Sequence, residues 1–232
     1  MSTPRRPRFA PGAAGTPNPM TELPRLLVLT DRSQLPLGRS LLATLAACAE
    51  AGLTHVVLRE LDETPEQRAG LAKAAVDLGL VVIAAHDLLP GAAGVQLPAD
   101  GGNTSFVGLS GRSNGREDGV TACYTRGRSC HSPAEVATAA EDGFDYAMLS
   151  PYALTESKPG YGPPLGPAAF GDLPLPTYAL GGITPDNAAE AVAAGAHGVA
   201  VMGAVMRAED PAEVVRDLLA VLATTPKPEV TA

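Results

Sequence analysis

From residue 24 onward, short apolar runs alternate with longer segments whose apolar residues recur every three or four positions. A short apolar run bounded by turn signals reads as a buried strand, and the longer period as an amphipathic helix. This pattern predicts strands over residues 26–30, 55–58, 80–85, 94–97, 120–128, 146–149, 177–180 and 198–202. Helices are predicted over 41–52, 64–78, 132–143, 184–195 and 211–223. Thr64-Pro65, Ser132-Pro133-Ala134-Glu135 and Thr184-Pro185-Asp186 each place a capping side chain before a proline at the first helical position, and Gly52, Gly79, Gly143 and Gly195 follow as stops. Residues 99–119, rich in Gly, Ser and Asn, predict a long loop.

Strands alternating with helices over short connections predict an α/β fold, a single (β/α)8 TIM barrel over residues 24–223. A doubly wound sheet fits the same pattern. Residues 1–23, with Pro4, Pro7, Pro11, Pro17 and Pro19 among arginines and glycines, predict a disordered Pro/Arg-rich tail, and residues 224–232 a second disordered tail. Arg5-Arg6 has the look of a twin-arginine export signal, but no apolar segment of the required kind follows it.

Composition narrows the function classes. The 232 residues are 45% hydrophobic and carry a net charge of -8, from 17 Lys and Arg against 25 Asp and Glu. That balance argues against a nucleic-acid partner. No apolar run approaches the roughly 20 residues of a membrane span. Cys48, Cys123 and Cys130 form no C-x-x-C and cannot all pair, so a reducing cytoplasm is expected. A small-molecule partner is expected, and a homo-oligomer is compatible with the composition.

In a barrel, chemistry gathers at the carboxyl ends of the strands. Polar residues predicted there are Asp31, Arg59, Glu60, His86, Asp87, Gln96, Ser129, His131, Ser150, Thr155 and Lys158. Gly181-Gly182 after the seventh strand and Met202-Gly203 after the eighth each open a helix, and glycines there let backbone N–H groups approach an anion. A phosphorylated substrate is the functional reading; two tight turns that need glycine for positive φ are the plain one. His131 is a candidate acid/base, because an imidazole exchanges protons near neutral pH. Lys158 in a glycine-bearing loop is a candidate to close over an anion, against a merely solvated lysine. Arg59 is a candidate grip on a carboxylate or phosphate, against an ion pair with Glu60 or Asp31. Cys130, between Arg128 and His131, reads as wall packing. His55 and His197 fall at the amino ends of strands and read as structural.

The order of motifs resembles the thiamine phosphate synthase/TenI superfamily. Leu29-Thr30-Asp31, Leu58-Arg59-Glu60, Val95-Gln96-Leu97-Pro98, Gly127-Arg128-Ser129-Cys130-His131-Ser132, Thr155…Lys158, Gly181-Gly182-Ile183-Thr184 and Gly198-Val199-Ala200-Val201-Met202 carry the resemblance. It implies a thiamine biosynthesis enzyme that binds a thiazole phosphate at the loops after strands seven and eight. Synthases of the family join a pyrimidine diphosphate to a thiazole phosphate with Mg²⁺; TenI-like members aromatise a thiazole carboxylate phosphate with a histidine acid/base and need no cofactor.

The synthase pattern is eroded here. Of Gln-Leu-Arg-x-Lys after strand two only Arg59 remains, in Val57-Leu58-Arg59-Glu60-Leu61. Where synthases read Asn-Asp-Arg, this chain has Ala84-Ala85-His86-Asp87, and Gln96-Leu97-Pro98-Ala99-Asp100 replaces a second metal-binding motif. Asp87 and Asp100 would be the metal ligands only if the chain is a synthase. The resemblance therefore leans to the thiazole tautomerase branch. His131, Arg59 and Lys158 are expected to be catalytic. Asp31, Gln96, Ser129, Thr155, Gly181, Gly182, Met202 and Gly203 are expected to bind substrate and phosphate. The alternatives are a synthase with a divergent metal site and a non-catalytic thiazole phosphate-binding regulatory paralogue.

Overall fold

The computed structural model describes residues 22–100, 115–117, 120–122, 124–154 and 163–226. Eight parallel strands close into a barrel: β1 (Leu26–Leu29), β2 (His55–Leu58), β3 (Val81–Ala85), β4 (Gly94–Leu97), β7 (Thr125–Cys130), β8 (Tyr146–Leu149), β9 (Thr177–Leu180) and β10 (Gly198–Val201). Closure comes from pairing of β1 with β10, Leu26 opposite Val199 and Val28 opposite Val201. Two further strands, β5 (Gly115–Glu117) and β6 (Val120–Ala122), form an antiparallel pair outside the barrel.

This hairpin corrects the expected loop and fifth strand. Residues 115–117 pair with 120–122, and the barrel strand begins only at Thr125. The apolar Val120 belongs to the hairpin, so the local pattern merged two strands. The rest of the expected loop, at 101–114 and 118–119, lies outside the described residues. So do residues 1–21 and 227–232, where most of both expected tails fall. The final helix extends one residue further than expected, to Thr224.

The period-two alternation of each strand sorts its side chains into two cores. Leu27, Leu29, Val57, Ile83, Tyr146, Met148, Tyr178 and Ala200 fill the barrel. Tyr146 and Tyr178 meet edge to face with centroids 5.5 Å apart, the favoured aromatic geometry. Leu26, Val28, Val56, Leu58, Val82, Val199 and Val201 point outward. They meet α1 (Leu41–Glu50), α2 (Pro65–Asp77), α3 (Pro133–Glu141), α4 (Pro185–Ala193) and α6 (Pro211–Thr224). A one-turn helix, α5 (Gly203–Met206), precedes α6, and the β3–β4 connection has no helix.

Two helix starts follow their sequence signals, and the second bears on the site. Thr64 and Gln67 complete a reciprocal capping box at α2. At α3, Ser132 Oγ accepts from Glu135 N–H at 3.2 Å, while Glu135 Oε2 accepts at 2.8 Å from the N–H of His131, one residue before the cap. The Ser-x-x-Glu signal thus holds the backbone of His131 as well as starting the helix.

Candidate active site

A cavity of about 570 Å³ opens at the carboxyl ends of the strands. Of the sequence-predicted site residues, Arg59, Ser129, His131, Gly181, Gly182, Met202 and Gly203 border it. Gln96 borders a recess of about 50 Å³ that shares Leu29, Arg59, His86, Pro98 and Ser129 with the main cavity. Asp31, Asp87 and Asp100 border neither. Thr155 and Lys158 lie outside the described residues.

His131 follows β7 directly. Its Nδ1 lies 3.1 Å from the carbonyl oxygen of Ser150 and 3.3 Å from Ser150 Oγ. A carbonyl only accepts, so Nδ1–H donates and the neutral ring carries its lone pair on Nε2. Ser129, two residues earlier, accepts from Gln96 Nε2 at 3.1 Å. Gln96 is buried, and its Oε1 finds no donor among the described residues.

Arg59 is held by its backbone, whose N–H donates to Thr30 Oγ1 at 3.0 Å. Its Nη1 lies 3.2 Å from Met202 Sδ and 4.0 Å from Asp31 Oδ2. The neighbouring Glu60 turns away: it accepts from Arg32 N–H at 3.2 Å and pairs with the Arg32 guanidinium. Asp31 caps the short 3-10 turn Arg32–Gln34, accepting from Ser33 Oγ and Gln34 Nε2, each at 2.6 Å. Burial pushes its carboxyl up, but these hydrogen bonds and the Arg59 charge outweigh burial and hold it below the usual carboxylate range.

Gly181 and Gly182 have φ of +91° and +68°, a region that L side chains rarely adopt. They are also crowded: a β-carbon on Gly182 would lie 2.5 Å from Leu154 O and 2.8 Å from Ala153. Tyr152 and Ala153 donate backbone hydrogen bonds to Leu180 O and Gly181 O, each at 2.9 Å. The glycine turn is therefore seated on the loop after β8.

Asp87 faces the outside, 3.6 Å from Nη1 of the buried Arg68. Among the described residues no three His, Cys, Asp or Glu side chains are grouped to hold a metal ion. A diphosphate-bound Mg²⁺ takes one or two protein carboxylates beside the phosphates, and Asp87 and Asp100, the carboxylates the resemblance would assign to it, do not border the cavity.

The strand-end residue His86 received no role from sequence, yet it borders both cavities at φ +66°. Positive φ in a bulky residue is rare outside constrained sites, but a sequence does not display φ. Arg207 also borders the main cavity. Its only sequence signal is its position four residues after Gly203.

Comparison with known proteins adds to this geometry. A family model described as "Thiamine monophosphate synthase" matches residues 123–205, which span His131, Ser150, the glycine turn and the start of α5. A Geobacter sulfurreducens protein provisionally named thiamine-phosphate synthase is 36% identical over 209 residues, covering 85% of this chain and 93% of its own. Thiamine-phosphate synthase of Chloroflexus aurantiacus is 32% identical over 213 residues, covering 87% of this chain and 94% of its own. The chain belongs to the thiamine phosphate synthase/TenI superfamily.

Among solved structures, thiamine phosphate pyrophosphorylase from Pyrococcus furiosus superposes with a TM-score of 0.67 at 21% identity, covering 87% of this chain and 96% of its own. That likeness supports the barrel alone. Membership places the chain among thiamine biosynthesis enzymes of this superfamily. Among the described residues, no helix is long and apolar enough to cross a membrane.

Proposed function

We propose that this superfamily member is a thiazole tautomerase, which aromatises a thiazole carboxylate phosphate in the cytoplasm. The observation that carries the proposal is the setting of His131. Its ring borders the cavity, and its Nδ1–H is committed to Ser150 O. Nε2 is then the atom that takes a proton from the non-aromatic ring, and the resulting imidazolium returns one to another atom of the same molecule. The reaction is an isomerisation with no net proton change. Arg59, 35% exposed at the cavity, is the cation for the substrate carboxylate. The phosphate sits against Gly181-Gly182 and Met202-Gly203, with Ser129 and Gln96 lining the inner wall. On the sequence reading, Thr155 contacts the substrate and Lys158 takes part in catalysis.

The relatives' names favour a second reading, a thiamine phosphate synthase. That reaction expels pyrophosphate, a multiply charged leaving group that calls for strong neutralisation. The outward-facing Asp87 and the missing lysine weigh against it here. No step of the proposed isomerisation runs through a metal.

One reaction mixture separates the readings. The protein is incubated with the non-aromatic thiazole carboxylate phosphate, the pyrimidine diphosphate and Mg²⁺, and products are resolved chromatographically against an enzyme-free blank. Aromatic thiazole alone, above the blank, is the expected result. Thiamine phosphate would establish the synthase, and neither product would leave a binding protein.

A further inference from the structure

A buried glycine with ordinary backbone torsions needs a spatial reason. Gly203 is buried and is absent from the glycines with positive φ, so conformation does not demand a glycine there. Space does. A β-carbon on Gly203 would overlap Arg207 Nη1 and lie 2.6 Å from Arg207 Cζ. The guanidinium therefore rests on bare backbone at the start of α5, where both residues border the main cavity.

Arg207 is also tethered. Its Nη1 donates to Gln34 Oε1, and Gln34 Nε2 donates to Asp31 Oδ2 at 2.6 Å. A carboxylate only accepts, so the amide nitrogen of Gln34 must face Asp31. Its oxygen then faces the other way, where it suits a donor such as the guanidinium. Asp31 thereby orients Gln34, and Gln34 orients Arg207, between the loops after β1 and β10.

We propose that Arg207 binds the phosphate end of the substrate, with Gly203 clearing its seat and Gln34 as its positioning residue. A guanidinium fork matches phosphate oxygens in a bidentate pair, which a lysine does not reproduce. The Gly181-Gly182 turn borders the same cavity and would offer the anion backbone rather than side chains. This inference rests on the proposed phosphate-bearing substrate and adds the residue that selects for it.

Calorimetric titration of the full chain with the phosphorylated aromatic thiazole, and separately with its dephosphorylated alcohol, tests the inference. The wild type should prefer the phosphate ester. Arg207→Met should weaken phosphate-ester binding about tenfold to a hundredfold, the range of a charge-assisted hydrogen-bonded contact, and leave alcohol binding unchanged. Arg207→Lys should fall between, and Gly203→Ser should reduce the preference by displacing the guanidinium. Gln34→Met should reduce it alone but add nothing in an Arg207→Met background, because a positioning residue acts only through its client. A wild-type preference in folded Arg207→Met, judged by an unchanged melting temperature, would overturn this inference and leave the proposed function standing. A wild type with no preference for the phosphate ester would overturn both.

Discussion

The imidazole of His131, at the end of β7, is held by the main-chain oxygen of Ser150, at the end of β8, with 3.1 Å between Nδ1 and oxygen. Two successive loops thus set one ring. Glu135 fixes the backbone of the same residue from α3, so protein groups hold this histidine at both its main chain and its ring.

His131→Asn should lower kcat by about a hundredfold or more, the usual contribution of a positioned acid/base. Binding of the phosphorylated thiazole should stay near the wild-type level, since the glycine turns proposed to face the phosphate are untouched. Steady-state assays alongside calorimetry check both halves. Retained turnover would remove His131 from the mechanism.

Gly182→Ala should destabilise the barrel. A side chain at φ +68° is strained, and its β-carbon would lie 2.5 Å from Leu154 O. Strain of this kind is worth about 1–3 kcal/mol, or roughly 2–12 °C of melting temperature for a domain of this size. Differential scanning calorimetry measures it. Gly203→Ser should have a different signature, because the group it displaces is a side chain at the surface rather than backbone.

His55, at the amino end of β2, gives the fold an acid-sensitive element. It is buried, with Nδ1 2.8 Å from Thr54 Oγ1, and burial pushes its pKa down to about 4. Its unfolded value near 6.5 is higher, so the unfolded chain binds the proton first. The contribution to stability is full above about pH 6.5 and is lost as pH falls toward 4, at about 3 kcal/mol in total. Urea unfolding at pH 7 and pH 4.5 should show a smaller difference for His55→Phe than for the wild type. Equal differences would contradict the assignment.

Cys130 should be inert although it stands between Arg128 and His131. Its thiol is fully buried and is pushed up to about 11 by burial and by the charge of Glu135, with Arg128 opposing. Cys48 is likewise raised, to about 12. Thiolate is the reactive species, so native Cys123→Ser protein at pH 8 should label slowly with iodoacetamide at both sites. Rapid labelling of Cys130 would show that its wall opens in solution.

Much of the fold was legible along the chain. Residues 55–58, 94–97, 146–149 and 177–180 are strands at the expected limits, because each is a short apolar run ended by residues that break it. The α2 and α4 starts were equally clear, since a proline behind a threonine cap acts within one turn. Most other limits differ by a residue or two; the larger difference is at 120–125, where two adjacent short strands present one continuous pattern and only their pairing partners distinguish them.

Position alone marks the strand-end residues His131, Arg59, Gly181 and Gly182, because a parallel barrel sends the carboxyl end of every strand to one rim. The sequence by itself thus determined which residues reach that rim. Which of them face the cavity was decided by tertiary structure. Asp87 is drawn outward by Arg68, and Asp31 is taken up by Ser33 and Gln34. The Gln34–Arg207 contact joins residues 173 apart in the chain. Local periodicity carries no information about such a pair; closure of β1 against β10 brings their loops together.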